Sequence, residues 1–315
     1  PTRDELAERV VTQRLVVEHG GRKAVLRVPR EDLEAAAEEV DKSIASGNEL
    51  GPLAGVPFTV KGNIDVQGSA TTWGVRVMAE QIASLDAPLV ARMREAGAIP
   101  LARTNLPDFA FRWDTDSSLS GRTLNPWDPK RTAGGSSGGE AAALATGMSP
   151  LGFGNDFGGS LRIPAGYTGL LGMKGTFGRI PRSPHAWMRP HTVVVGNLSR
   201  SVRDAARYYD VCAGVHPYDP TSIPNPGNWE GGLGSHDLAG RKVAIVPNLG
   251  GVTLEPGVED RIRAEAKALI ADTGMVEVDL KVEPPNLAAQ WMMGNLATLL
   301  PDLEGLWPGC ARDLT

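Results

Sequence analysis

Two glycine turns that carry serines lie close together in the chain, Gly134-Gly135-Ser136-Ser137-Gly138-Gly139 and Gly154-Asn155-Asp156-Phe157-Gly158-Gly159-Ser160. Glycine opens backbone conformations closed to other residues and lets a ligand come near the main chain. The second turn can therefore aim the N–H groups of Phe157, Gly158, Gly159 and Ser160 at one point, which is what an oxyanion hole requires. Losing one such donor costs about 3–4 kcal/mol in acyl transfer. A serine beside that nest predicts hydrolytic chemistry, provided that something takes its proton.

Histidine is the usual base for a serine. None of His19, His185, His191, His216 and His236 stands in a motif that ties it to either turn. Lysine is the alternative, where burial away from carboxylates lowers its pKa from about 10.4. Lys61 closes the apolar run Val56-Pro57-Phe58-Thr59-Val60 and is placed for that. Alone, a lysine after a strand is a solvated charge, and a Gly-Gly-Ser segment is a flexible turn. Together, the three segments argue for a site.

The elements that must position these residues read as α/β. Val56 to Val60 is a short buried strand that leaves through Lys61-Gly62-Asn63, a helix spans Ala87 to Ala96, and a strand follows over Ala98 to Ala102. Asp114 to Gly139 is a loop region, Gly139 to Met148 an Ala-rich buried helix, and Ser201 to Ala213 a helix capped by Ser201. Amphipathic helices are expected over residues 4–18 and Arg30 to Ala45. Beyond the Pro/Gly-rich stretch Pro217 to Gly234, a strand over Lys242 to Val246 and a helix over Pro256 to Thr273 complete the reading.

Composition narrows the classes. The 315 residues carry a net charge of −5 and no long basic run, so a nucleic-acid partner is not expected and a small molecule is. No apolar run reaches the ~18 residues of a membrane span. Cys212 and Cys310 have no Cys/His cluster beside them, which predicts neither a disulfide framework nor a metal site. With a polar start and no signal peptide, the expected location is the cytoplasm.

These residues resemble the amidase signature family. Gly51-Pro52-Leu53-Ala54-Gly55 through Lys61 is similar to its lysine segment, Thr104-Asn105 through Asn125-Pro126-Trp127 to the stretch that follows, and Gly134 to Gly139 with Gly154 to Arg162 to its serine- and glycine-rich signature. Ser136 and Ser160 stand 24 positions apart, as the family pattern requires. The resemblance implies a central mixed β-sheet covered by α-helices on both faces. It implies an acyl-enzyme on Ser160, with Ser136 relaying the proton to Lys61 across a cis peptide bond before Ser136. Gly135, Ser137, Asp156 and Arg162 would support the turns, the last two more plausibly as a structural ion pair than as acid or base. No cofactor is implied.

Gly62 departs from the aspartate that the family often places after the lysine, which puts a contact to Lys61 in question. Family members also continue past the length seen here. The expected organisation is therefore a single domain over 1–315: N-terminal helices to 50, a catalytic core over 51–215, a loop over 216–234, and the start of a C-terminal portion over 235–315 that lacks its remainder. A monomer or homodimer is expected.

The substrate is read from aromatic residues. Ala110, Phe111 and Trp113 lie in the stretch that borders the family's acyl site, with Trp73, Trp187 and Met188 as further candidates. They suggest an aryl or bulky apolar amide. A carbamate (urethane) or ester with the same triad is the alternative, and a glutamine-hydrolysing amidotransferase subunit the second. An α/β-hydrolase, suggested by the formal G-x-S-x-G at Gly134 to Gly138, would need a buried strand just before Ser136; Asn125 to Arg131 does not read as one.

Overall fold

Residues 25–27, 30–182, 192–248, 252–281, 287–312 and 314 are described by a computed structural model. Strand β1 (Val25–Arg27) and helix α1 (Arg30–Ala45) come first, then β2 (Pro57–Lys61), α2 (Pro88–Glu95) and β3 (Ile99–Thr104). A short hairpin, β4 (Asp116–Ser117) and β5 (Gly121–Arg122), interrupts the stretch read as loop, and α3 (Gly138–Ala145), β6 (Leu151–Asp156), α4 (Arg162–Thr168), β7 (Leu171–Gly172), β8 (Val194–Ser199) and α5 (Val202–Cys212) follow. The remaining elements are β9 (Lys242–Val243), α6 (Val258–Thr273), β10 (Val276–Glu277) and α7 (Ala288–Glu304). The helix expected over 4–18 and the pocket candidates Trp187 and Met188 lie outside the described residues.

Six strands form one mixed sheet in the order β1-β3-β2-β6-β8-β7. β2 lies at its centre, parallel to both β3 and β6, while β1, β8 and β7 join antiparallel. The two faces of β2 separate the apolar body from the polar site, because side chains alternate along a strand. Phe58 and Val60 enter a cluster with Leu89 and Met93 of α2, Phe153 of β6, and Tyr208, Tyr209 and Cys212 of α5. Phe153 is the hinge of that packing, with its ring 5.1 Å from both Phe58 and Tyr208. Thr59 turns the other way, to α3, where Ala141 and Leu144 pack with Leu161, Ala165 and Leu198 in a second cluster. The mixed sheet covered by helices on both faces is the architecture expected.

Ser201 caps α5 as expected, its Oγ accepting the Asp204 N–H at 3.1 Å. The chain divides into two compact units, residues 1–230 with 298–315, and 231–297. The first break falls within the Pro217 to Gly234 stretch. The second unit holds the parallel pair β9–β10 and α6. Among the described residues, no helix is long and apolar enough to cross a membrane.

Candidate active site

Lys61 ends β2 fully buried, and its Nζ donates to Ser136 Oγ at 2.7 Å and to Asn155 Oδ1 at 2.7 Å. Burial drives the ammonium pKa from 10.5 down to about 7, against the pull of the Asp156 and Glu140 charges. Near neutral pH much of Lys61 is therefore the free amine, which can accept a proton.

Ser136 is buried and follows a cis peptide bond from Gly135. Its turn is clamped from outside. Thr115 Oγ1 donates to the Gly134 carbonyl at 2.9 Å and accepts the Gly138 N–H at 3.0 Å, while Thr132 Oγ1 accepts the Gly134 N–H at 3.0 Å. The Ser137 N–H donates to the Ser160 carbonyl at 3.3 Å, tying the two serine turns together. Ser137 Oγ is buried with no partner among the described residues.

Asp156 organises the second turn. It accepts the N–H groups of Gly159 at 2.9 Å and Leu161 at 3.2 Å, and both Nε and Nη2 of Arg162 at 2.9 and 3.0 Å. Burial opposes its charge, but the Arg162 guanidinium and the two N–H donors outweigh that and hold its carboxyl below the usual value. Asp156 and Arg162 thus form an ion pair, its carboxylate buried and its guanidinium half exposed. One expectation changes: the Gly159 N–H is committed to Asp156, so it is not a free member of the four-donor nest. The N–H groups of Gly158 and Ser160 have no acceptor among the described residues.

Glu140, in the first turn of α3, lies under the lysine. Thr59 Oγ1 donates to its Oε2 at 2.6 Å and Thr104 Oγ1 to its Oε1 at 2.7 Å. Burial pushes its pKa from 4.5 up to about 8, against the two hydroxyls and the Lys61 and Arg103 charges. Sequence reasoning missed both Glu140 and Asn155. A glutamate inside an Ala-rich buried helix was the available signal for the first. The second lay within the quoted motif, but nothing in its type or spacing points to Lys61.

Gly62 has a local reason. A Cβ there would come 2.9 Å from Leu106 Cδ2 and 3.2 Å from the Thr104 carbonyl, and the Lys61 amine finds its second side-chain partner in Asn155 of β6. The aromatic candidates divide. Residues Asp108–Ala110 form a tight turn with positive φ at Phe109 (49°) and Ala110 (62°), fixed by Arg112 pairing with Asp108 at 3.0 Å. Beyond it, the Phe111 ring meets the Phe157 ring edge-on at 6.2 Å, and Trp113 Nε1 donates to the Gly158 carbonyl at 3.1 Å with the side chain 57% exposed. Phe111 and Trp113 therefore border the Phe157 to Ser160 turn, while Trp73 is buried in a cluster with Val75, Met78 and Phe109 against which Ala110, Phe111 and Phe157 also pack.

A family model described as Amidase matches residues 13–299. Among curated proteins, the A subunit of the glutamyl-tRNA(Gln) amidotransferase from Deinococcus deserti is 42% identical over 220 residues, 70% of this chain and 45% of that protein. Its counterpart from Deinococcus radiodurans is 41% identical over 237 residues, 75% of this chain and 48% of its own length. The chain thus spans about half the length of these relatives. Among solved structures, a bacterial aryl acylamidase of the amidase signature family superposes with a TM-score of 0.85 at 26% identity, covering 98% of this chain and 67% of that one. The peptide amidase of Stenotrophomonas maltophilia gives 0.81 at 28%, covering 98% and 64%. With nearly its whole length matched and its sheet shared with these enzymes, the chain belongs to the amidase signature family.

Proposed function

We propose that the chain hydrolyses an amide-type C–N bond through an acyl-enzyme on Ser160. The observation that carries this reading is a buried lysine with a lowered pKa, hydrogen-bonded to a buried serine that belongs to the turn tied to Ser160. Ser160 Oγ attacks the carbonyl carbon, its proton passes to Ser136, and the Ser136 proton passes to neutral Lys61. The N–H groups of Gly158 and Ser160 receive the oxyanion. On collapse the C–N bond breaks, and Lys61 returns the proton through Ser136 to the departing amine. Water then takes the place of Ser160 in reverse, releasing the acid. The Ser136 to Ser160 step closes on substrate binding, as catalytic hydrogen bonds commonly do.

The wall of Phe111, Phe157 and Trp113 supports an aryl or bulky apolar acyl or amine group. Likeness to an aryl acylamidase agrees with this. The second reading, glutamine hydrolysis, draws support from the names of the curated relatives. The test compares a 4-nitroanilide, an aryl carbamate and glutamine at equal concentration, with fluorophosphonate labelling mapped by mass. An adduct on Ser160, lost in Ser160→Ala and slowed in Lys61→Ala, with preference for the anilide, is the expected result. An adduct on Ser136 or Ser137 overturns the mechanism, and glutamine turnover above the anilide overturns the substrate assignment.

A further inference from the structure

A cavity of about 180 Å³ lies on the far side of the turn that follows Lys61, and its lining includes none of Lys61, Ser136 or Ser160. Its frame is a laced pair of segments. The Thr71 N–H donates to the Gln81 carbonyl at 2.9 Å, the Ala83 N–H to the Ser69 carbonyl at 3.0 Å, and the Gly68 N–H to the Ala83 carbonyl at 2.9 Å. Asn63, 7% exposed, lines this cavity, and neither its Oδ1 nor its Nδ2 has a hydrogen-bond partner among the described residues. Buried amides in folded proteins are nearly always paired, and an unpaired one is costly. A side chain that presents an acceptor and a donor side by side into a rigid cavity is complementary to a molecule that presents one N–H and one C=O side by side.

We propose that this cavity binds the carboxamide head of a small neutral molecule through a two-hydrogen-bond ring with Asn63. The carboxamide carbonyl accepts from Asn63 Nδ2, and one of its N–H groups donates to Asn63 Oδ1. Its second N–H faces Asp65, whose Oδ1 is already oriented by the Thr71 hydroxyl at 2.6 Å. Trp73 and Met78 supply the apolar wall against the flat face of the group. The volume is that of about six waters at ~30 Å³ each, which suits a head of four to six heavy atoms in rough terms.

The donor and acceptor of Asn63 argue for a carboxamide over an amine, because an ammonium group has no acceptor to offer Nδ2. Asp65 is the one carboxylate among the described residues of the lining, and buried Arg103, which lies within reach of its charge, spends its guanidinium on the carbonyls of Lys61 and Ile64 and the Ser69 hydroxyl. An ammonium in the cavity would leave Asn63 Nδ2 unpaired. The inference does not depend on the hydrolytic reading of the Lys61 site.

The test uses the chain with Ser160→Ala, so that no amide is consumed, and follows the indole N–H resonance of Trp73, assigned by its loss in Trp73→Phe. The probes are acetamide, N,N-dimethylacetamide, which keeps the carbonyl and lacks N–H, and methylammonium chloride. Acetamide is expected to give a saturable shift in the millimolar range, as suits so small a ligand. Dimethylacetamide should bind at least fivefold more weakly, and acetamide should weaken at least fivefold when Asn63→Leu is added. Asn63→Leu removes two unpaired polar atoms, so its Tm should be unchanged or higher; if it fails to fold, Asn63→Ser serves in its place. Equal response to both amides, acetamide binding indifferent to Asn63, a response to methylammonium alone, or no response would each overturn the proposal. Because turnover is never read, failure here is distinct from failure of the amidase assignment.

Discussion

A neutral amine has two N–H groups and one lone pair, and the two partners of Lys61 Nζ divide them. Asn155 Oδ1 can only accept, so it takes an N–H; of the two partners, Ser136 Oγ alone can give a proton to the lone pair. Asn155 therefore aims the base. Asn155→Leu should lower kcat/KM on an aryl anilide about 10–100-fold, the usual loss when a group that orients a functional side chain is removed. Asn155→Asp should instead place a negative charge against the amine and move the acid limb of the profile up by about a unit or more. In the wild type that limb is expected near pH 7, activity falling below it as Lys61 is protonated, because its pKa is about 7. A profile flat from pH 6 to 9 would remove lysine as the base. That Lys61 meets Ser136, and that the turns of Ser136 and Ser160 are tied together, was legible in the sequence, because residue type, spacing and the family resemblance pointed to the same three segments. Asn155 and Glu140 were not, since their parts depend on which way a side chain leaves its element.

The sheet meets α3 where β6 has no side chains. A Cβ on Gly152 would stand 2.2 Å from Glu140 Oε2, and one on Gly154 would stand 2.5 Å from Ser137 Oγ. The first turn of α3 can sit this close only because both positions are bare. Gly154→Ala should therefore displace the serine turn and cost about 1–3 kcal/mol, the usual penalty for overpacking, with kcat falling more than stability; urea melts and initial rates check it. Glu140 gives this packing a pH dependence. Its pKa is raised from 4.5 to about 8 in the fold, so its contribution to stability is full below pH 4.5 and is lost as pH rises toward 8. Lys61, lowered from 10.5 to about 7, acts in the opposite sense between about 7 and 10.5. Between pH 5 and 7 the Glu140 effect is the one of these two in play. Over that interval the wild type should lose on the order of 1–3 kcal/mol of unfolding free energy that Glu140→Gln does not lose. Denaturant titrations at the two pH values would decide it, and identical slopes would show Glu140 to be ionised throughout. Helices with strong periodicity or a cap, α1, α2 and α5, were legible close to their bounds. β8, the short β1 and β7, and α4 directly behind Ser160 were not, since sheet pairing and the turn around Asp156 set them more than local pattern does.

At the scale of the molecule the two units differ in how they are held. The first carries the sheet and its paired clusters. In the second, α6 buries none of its residues, and Leu269, Val276 and Leu280 are each half exposed or more. Amides of α6 should therefore exchange with deuterium through low-energy local opening, at least ~100-fold faster than those of β2 and β6, which should approach the global limit. Equal protection would show the second unit to be as cooperative as the first.

The Asp108–Ala110 turn has a further consequence. Lys61 and Asn155 lie on β2 and β6 and Ser136 on the turn into α3, where a carbon added at Gly152, Gly154 or Gly135 finds no room; Phe111 and Trp113 sit on the exit of a turn whose backbone packs against Gly135, while the Trp113 indole is more than half exposed and meets the Gly158 carbonyl. Substitution would act differently in the two regions. Exchanging the Phe111 or Trp113 side chain should therefore reshape the wall beside the Phe157 to Ser160 turn without adding a carbon to the packing that holds Lys61 against Ser136.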